Sequence, residues 1–308
     1  MAGIYLHIPF CKQACNYCNF HFSTSLSHKK ELINALLTEI KLKTGIFENE
    51  TIQTIYFGGG TPSLLSIDDC KLIMERIHQA FTVAPGAEIT LEANPDDISP
   101  EKLKGWKEAG INRLSIGIQS FFEEDLRWMN RAHGKDQALN SLQWASSEFE
   151  NISLDLIYGT PLLTDDMWLQ NIETALSFLI PHLSCYALTV EEKTPLQKQI
   201  LSRKKDNVDA DKQARHFTLL MRHLKEKGYE HYEVSNFALP QFRSRHNSSY
   251  WKGEKYLGLG PSAHSYNGIS RTWNVANNAK YIRGIEKGMI DFETEVLTAI
   301  QKLNEYIM

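Results

Sequence analysis

The stretch HIPFCKQACNYCNFHF, residues 7–22, places three cysteines within eight positions close to the start of the chain. Cys11, Cys15 and Cys18 follow the spacing C-x3-C-x2-C. Three thiols this close together can form a disulfide, bind structural zinc or hold an iron–sulfur cluster. Each alternative predicts different surroundings, so the rest of the sequence is needed to choose between them.

Composition limits the class of protein. The chain has 308 residues, of which 42% are hydrophobic and 23% charged, and its formal net charge is −4. This is an ordinary globular composition without the basic footprint of a nucleic-acid-binding protein. We find no apolar run of about 18 residues and no signal-peptide pattern, so we expect a cytoplasmic protein without a transmembrane segment. Thiols stay reduced in the cytoplasm, which favours metal binding over a disulfide.

Short apolar runs alternate with amphipathic stretches along the chain. The predicted strands cover residues 4–8, 54–57, 88–92, 113–118, 153–157 and 183–188. The helices between them carry recognisable start signals, such as Ser66 with Asp69 in a capping-box pattern and Ser99 before Pro100. Consecutive βα units predict an α/β fold with a parallel sheet, either open and doubly wound or barrel-like. Residues 229–275 lack this alternation, and we expect extended or loop structure over the open face that holds the cysteines.

Polar or glycine-rich residues stand at the carboxyl ends of successive predicted strands. The cysteine loop follows the first strand, and YFGGGTP, residues 56–62, ends the second. Glu92, Gln119 and Asp155 lie at the ends of the next three or just before them. Because the carboxyl ends of parallel strands meet at one edge of a sheet, these residues predict one large site.

Within such a site the cysteines are compatible with two kinds of metal centre. Three thiolates can hold three irons of a 4Fe-4S cluster and leave the fourth iron open to a ligand. His21 lies close enough in sequence to make a Cys3His zinc site, so a zinc-stabilised binding module is an alternative. Structural zinc more often uses two separated ligand pairs and does not require glycines and carboxylates on neighbouring strands. The remaining cysteines, Cys70 and Cys185, are predicted to be core residues.

The sequence YLHIPFCKQACNYC, residues 5–18, together with YFGGGTP, resembles the radical SAM enzymes. Within them it is similar to the branch that contains oxygen-independent coproporphyrinogen III oxidase and the HemW heme chaperones. The resemblance implies a radical SAM partial (β/α)6 barrel over residues 1–228. A C-terminal extension of loops and short strands and helices is implied over residues 229–308. It also implies that S-adenosylmethionine (SAM) binds the open iron and is cleaved by an electron from the cluster, which releases a 5′-deoxyadenosyl radical.

Individual positions match the family's motifs. Cys11, Cys15 and Cys18 match the cluster ligands. Positions that match SAM contacts are Tyr5, Gly59, Gly60, Thr61, Glu92, Gln119, Arg131 and Asp155. Carboxylates suit the ammonium and sulfonium of SAM, and an arginine suits its carboxylate. Without the resemblance, Arg131 would be interpreted as a solvated charge at a helix end.

Two further features distinguish the branches. Phe20 stands where the oxidases carry a fourth cysteine, and RHNSSYW, residues 245–251, resembles a heme-binding signature of the HemW type. His246 is thereby implied as an iron ligand, with Tyr250 and Trp251 against the macrocycle; the alternative is that His246 braces a loop. The implied function is a heme chaperone in porphyrin metabolism that binds the cluster, SAM and heme and delivers heme to an acceptor apoprotein. An oxidase that decarboxylates coproporphyrinogen III is the alternative.

The resemblance also implies partners and a further C-terminal segment. An electron donor such as flavodoxin or ferredoxin is implied for the cluster. The final stretch TEVLTAIQKLNEYIM, residues 294–308, spaces Leu297, Ile300, Leu303 and Ile307 as one face of a helix. Family members continue into a small further domain, so we expect this chain to be either truncated before it or a shortened homologue.

Overall fold

The computed structural model describes residues 2–47, 50–290, 292–298, 300, 301 and 304. Within these residues, twelve strands form one sheet. The strands are β1 (Ala2–Ile8), β2 (Ile52–Gly59), β3 (Val83–Ala93), β4 (Arg113–Gln119), β5 (Ile152–Tyr158), β6 (His182–Ala187), β7 (Glu230–His231), β8 (Asn236–Ala238), β9 (Lys255–Leu259), β10 (His264–Tyr266), β11 (Ser270–Asn274) and β12 (Phe292–Val296). The helices are α1 (Lys29–Leu42), α2 (Ile67–Ala80), α3 (Pro100–Glu108), α4 (Glu123–Trp128), α5 (Lys135–Glu148), α6 (Asp165–Ser177), α7 (Pro195–Leu201), α8 (Ala210–Glu226), α9 (Arg245–Trp251) and α10 (Asn278–Glu286).

The first six strands form the parallel core of the sheet. They lie side by side in sequence order from β1 to β6, and each pairs in parallel with the next. A doubly wound sheet would reverse its strand order at a switch point, and this order has none. The outer edge of β1 pairs with β9, and that of β6 pairs with β8, so β1 and β6 do not close the ring. The predicted partial barrel is confirmed.

Local sequence signals account for the helix starts. Ser66 accepts a hydrogen bond from the amide of Asp69, whose carboxylate accepts one in return, so the predicted capping box starts α2. Ser99 caps α3, with Pro100 in its first turn.

The outward-facing residues Ile4, Leu6 and Ile8 of β1 belong to the hydrophobic core. Tyr5 and His7 alternate with them and face the barrel interior, which is therefore polar.

The six predicted strands and the predicted helices between them are present. The short helices α4 and α7 were not predicted, and α9 and α10 lie in the extension, for which short helices were implied without positions.

Residues 229–275 are largely extended, as predicted, with β7 to β11 joined by loops, but the expectation that the HNSSYW part lies over the open face was wrong. This segment contains α9, whose first amides bind the Glu88 carboxylate, while the His246 ring binds Thr54. Thr54 is level with Gly3, near the amino ends of β1 and β2. The helix therefore fills the end of the barrel opposite the cysteine loop, where Ser244 caps it and Glu88 accepts from its first two amides.

The sheet continues through β9 after residue 228, so the division into a core of residues 1–228 and an extension of residues 229–308 stays a proposal. Leu303 and Ile307 of the predicted terminal helix lie outside the described residues. Cys70 and Cys185 are buried, as predicted. Across the described part of the chain, we find no helix with the length and apolar character needed to span a bilayer.

Candidate functional site

A cavity of about 450 Å³ opens at the carboxyl ends of the parallel strands. All of the predicted cluster and SAM residues line it except Tyr5. Those that line it are Cys11, Cys15, Cys18, Gly59, Gly60, Thr61, Glu92, Gln119, Arg131 and Asp155. The parallel register brings together residues that are up to 144 positions apart in the sequence, from Cys11 to Asp155.

The cysteine loop has no regular secondary structure of its own and is held by the segment that follows α4. The Asn16 amide donates to the Met129 carbonyl at 3.2 Å. The Asn130 side chain donates to the Ala14 carbonyl at 2.7 Å, and the Gln13 side chain donates to the Asn130 carbonyl at 2.9 Å. Asn130 has a φ of 59°, a left-handed conformation that asparagine tolerates better than most residues. These bonds fix the loop so that its thiols line the cavity.

Side-chain donors contact two of the three thiols. The Thr61 hydroxyl donates to Cys11 Sγ at 3.5 Å, and Arg131 Nη1 donates to Cys15 Sγ at 3.3 Å. Burial raises the pKa of Cys11, and it raises that of Cys18 to about 11. Both thiols are therefore neutral at pH 7 before metal binds, and a metal centre would have to displace their protons.

The geometry bears on the choice between zinc and a cluster. Among the residues that the structure describes, no three His, Cys, Asp or Glu side chains converge on a position for one metal ion. His21 instead contacts Asn278, with 2.8 Å between Nε2 and Oδ1. Zinc requires every ligand within about 2.3 Å of one centre, whereas a cluster attaches each thiolate to a different iron and spaces them more widely. The arrangement fits a cluster better than a Cys3His zinc site.

Arg131 is not the solvated helix-end charge that its sequence context indicates. Its Nη2 donates to Asn94 Oδ1 at 2.8 Å and to the Gly117 carbonyl at 2.9 Å. Asn94 in turn donates to the Thr61 hydroxyl at 3.2 Å. Arg131, Asn94 and Thr61 thus form a chain of hydrogen bonds that ends on two of the thiols. Asn94 follows Glu92 at the end of β3, among the polar strand ends that predict the site, but it is not among the positions matched to SAM contacts.

Two carboxylates lie at the base of the cavity. The Tyr56 hydroxyl donates to Glu92 at 2.8 Å, and the Ser115 hydroxyl donates to Asp155 at 3.3 Å. Burial is the main reason that the pKa of Glu92 rises to about 7 and that of Asp155 to about 6. A cationic ligand would favour their ionised forms, so the site suits a ligand that carries positive charge.

Gly59 and Gly60, at the end of β2, also leave room for neighbouring residues. Gly59 has a φ of 107°, and a Cβ there would lie 2.7 Å from the His7 ring. A Cβ on Gly60 would lie 2.7 Å from the carbonyl oxygen of Phe10. The lack of side chains therefore allows this turn to pack against the strand that leads into the cysteine loop.

The predicted heme residues and Tyr5 are not among those lining the cavity. Tyr5 stacks on Tyr56, with 6.1 Å between ring centroids. His246 is 1% exposed, and its ring nitrogens contact the hydroxyls of Thr54 at 2.7 Å and Tyr250 at 2.9 Å. Burial lowers its pKa to about 3, so the ring is neutral. Ligation of heme iron by His246 stays a prediction, and it requires the ring to give up at least one of these contacts.

The fold and the cysteine-lined cavity define a radical SAM protein. The profile of the Radical SAM superfamily matches residues 5–175. The chain is 37% identical to the heme chaperone HemW of Bacillus subtilis (strain 168), over 99% of this chain and 82% of that protein. It is 36% identical to the heme chaperone HemW of Mycobacterium tuberculosis (strain ATCC 25618 / H37Rv), over 91% of this chain and 73% of that protein. The chain therefore belongs to the HemW family of the radical SAM superfamily.

Solved structures agree with this fold. Coproporphyrinogen III oxidase (HemN) from Escherichia coli, described as a radical SAM enzyme, superposes with a TM-score of 0.86 at 23% identity. The match covers 99% of this chain and 74% of that one. The structure of anSMEcpe with bound AdoMet superposes with a TM-score of 0.53 at 13% identity. At such identities the likeness shows the fold alone.

Proposed function

We propose that the chain is a cytoplasmic heme chaperone that binds a 4Fe-4S cluster, SAM and heme and delivers heme to an acceptor protein. One observation supports the binding of the cluster and SAM. The three thiols line the same cavity as the carboxylates, the glycines and Arg131. Membership of the HemW family supports the heme part, because its closely similar relatives carry the name of heme chaperones.

Different residues of the cavity would bind different groups of SAM. When bound, the cluster supplies the electron for reductive cleavage of SAM. Thr61 and the adjacent glycines would receive the amino end of the ligand, and Arg131, oriented by Asn94, would bind its carboxylate. Glu92 and Asp155 would balance its positive charge from the base of the cavity. Fixed donors of this kind need little rearrangement when the ligand arrives.

Heme would bind at the other end of the barrel, on the exposed side of α9. Trp251 is 54% exposed and Tyr250 is 40% exposed, so both rings can pack against a flat apolar ligand. Because α9 lies at the amino ends of the strands, heme bound there would not contact SAM. That separation suits a carrier that must release heme unmodified.

Anaerobic reconstitution tests the cluster. The protein should take up about four irons and about four sulfides per chain. Cys15→Ala should lose the cluster, whereas Cys70→Ala is the matched control, since Cys70 is buried between helix and sheet away from the cavity. One zinc per chain without iron uptake would contradict the proposal. Heme titration of the same samples tests the carrier, which should bind heme and not convert coproporphyrinogen III.

A further inference from the structure

Arg113, the first residue of β4, is a cation buried inside the barrel. The residue is 1% exposed, and its Nε atom has no hydrogen-bond partner among the described residues. The hydroxyl of Thr90, which is paired with Arg113 in the neighbouring strand β3, also lacks a partner there. No ion pair holds the Arg113 guanidinium within the part of the chain that the structure describes. An uncompensated buried charge is strongly unfavourable, so other charges of the interior must balance this one.

The register of β4 directs Arg113 into the barrel, beneath the cavity. Alternate residues of a strand point to the same side of the sheet. Ser115 and Gly117 follow Arg113 on that side, and both line the cavity. The Ser115 hydroxyl donates to Asp155 at 3.3 Å. Arg113 does not itself line the cavity, so its charge lies one layer of side chains below the carboxylates.

The acidic residues on the inward faces of the neighbouring strands are Glu88 and Glu92 on β3 and Asp155 on β5. Glu88 is already engaged, because its two oxygens accept hydrogen bonds from the first two amides of α9. Glu92 and Asp155 remain, and both line the base of the cavity. These two carboxylates are therefore the negative charges that balance Arg113.

The charge of Arg113 acts on both carboxylates. Burial raises the pKa of Glu92 to about 7 and that of Asp155 to about 6, and the positive charge of Arg113 opposes both rises. The charge of Asp155 raises the pKa of Glu92 further. The other groups that face them are the hydroxyls of Tyr56, Ser115 and Ser184, the Gly59 amide and the Arg131 guanidinium. The imidazoles of His182 and His246 add no charge, because burial, together with the charge of Arg113, lowers their pKa.

We propose that Arg113 is a positioning residue that keeps the two carboxylates of the cavity ionised, so that the site accepts a cationic ligand at neutral pH. A protonated carboxyl group carries no charge to offer an ammonium or a sulfonium. Arg113 acts through Glu92 and Asp155 and does not touch the ligand. This inference rests on the SAM site of the proposed function and adds to it a residue from the layer below.

Substitutions at Arg113 separate its charge from its packing. Arg113→Met keeps an unbranched side chain and removes the charge, whereas Arg113→Lys keeps the charge and removes the guanidinium. Arg113→Gln is a second uncharged variant, which repeats the measurement if Arg113→Met does not fold. Arg222→Met is the matched control for the loss of one positive charge, since Arg222 is exposed on α8. Iron content and circular dichroism establish that each protein is loaded and folded.

Anaerobic calorimetry with SAM at pH 7 and pH 8.5 measures the effect on the loaded proteins. Removing a nearby opposite charge raises the pKa of a carboxyl group by about one unit or more. At pH 7 such a rise takes Glu92 from about one-half ionised to about one-tenth, and Asp155 from about nine-tenths to about one-half. Arg113→Met should therefore bind SAM about tenfold more weakly than the wild type at pH 7, and within about twofold of it at pH 8.5. Arg113→Lys and Arg222→Met should stay within about twofold of the wild type at both pH values.

Infrared spectroscopy follows the same carboxyl groups without the cluster or SAM. A protonated carboxyl group has a carbonyl stretching band that an ionised carboxylate lacks. The band that Glu92→Gln removes should appear about one pH unit higher in Arg113→Met than in the wild type as the pH is lowered. Arg113→Lys should leave its midpoint close to that of the wild type.

Two results would overturn the inference. An equal loss of SAM affinity at pH 7 and pH 8.5 in Arg113→Met would show that the residue only supports the packing of the barrel. An unchanged midpoint of the Glu92 band would show that Arg113 does not control the carboxylate. Absence of iron uptake or of SAM binding in the wild-type protein would instead refute the proposed function, and the infrared titration would still decide the role of Arg113.

Discussion

Lowering the pH from 8 to 6 should weaken the binding of SAM to the cluster-loaded protein. Burial raises the pKa of Glu92 to about 7 and that of Asp155 to about 6. The positively charged ligand binds the ionised carboxylates, so binding must expel any proton they hold. A carboxylate whose pKa is raised holds more protons as the pH falls, and the affinity therefore falls with the pH.

The size of the effect follows from the two pKa values. Between pH 8 and pH 6, a group with a pKa of 7 changes from about nine-tenths ionised to about one-tenth, which reduces the affinity about tenfold. A group with a pKa of 6 is about half ionised at pH 6, which adds a factor of about two. If both carboxylates must be ionised, the affinity should fall about twentyfold in total.

Anaerobic calorimetry on the wild-type protein and on Glu92→Gln measures the effect. The amino group of free SAM also titrates near pH 8, but it does so equally in both experiments. The ratio of the two pH dependences therefore isolates Glu92. Over the same pH interval, the factor by which the affinity falls should be about ten times smaller for the variant than for the wild type.

Equal losses for the wild type and Glu92→Gln would refute the placement of the ligand charge beside Glu92. Tighter binding at pH 6 than at pH 8 would contradict the sign of the linkage. Glu75→Gln is the matched control for a carboxylate on the outside of the barrel, since Glu75 is exposed on α2. It should leave both the affinity and its pH dependence unchanged.

Further substitutions test the cysteine loop and α9. Asn130→Ala should lower the free energy of unfolding by about 2 kcal/mol in urea titrations, because it removes one hydrogen bond and forces a Cβ residue into a left-handed conformation. Asn130→Gly should cost about 1 kcal/mol, since glycine relieves the strain; equal losses would show that the conformation is not strained. His246→Ala should cost about 2 kcal/mol or more, because it leaves the buried Thr54 hydroxyl without its partner; an unchanged stability would remove the bracing role. Trp251→Ala should weaken heme binding in an absorbance titration with little change in unfolding, and unchanged heme affinity would move the heme site away from α9.

Much of the fold follows from patterns between near neighbours in the sequence. The apolar runs predicted all six parallel strands, and Ser66 with Asp69 predicted the start of α2 through bonds that span three residues. The short helices α4 and α7 were not predicted, because six or seven residues show too little apolar periodicity for a helix to be recognised. The cysteine and glycine motifs indicated a site at the carboxyl edge of the sheet, because parallel strands place those ends together.

Other features depend on contacts that no local pattern encodes. Arg131 looks like a surface charge in its own segment, and only the adjacency of β3 and β4 gives it Asn94 as a partner. The placement of α9 is decided by the Glu88 carboxylate, which is 158 positions from His246 in the sequence and binds its amide. A helix N-terminus needs an acceptor wherever the fold offers one, and that acceptor lies at the amino end of the barrel. The sequence by itself thus determined the six parallel strands and the composition of the site at their ends, whereas tertiary packing decided the order of the strands, which side chains meet and which end α9 closes.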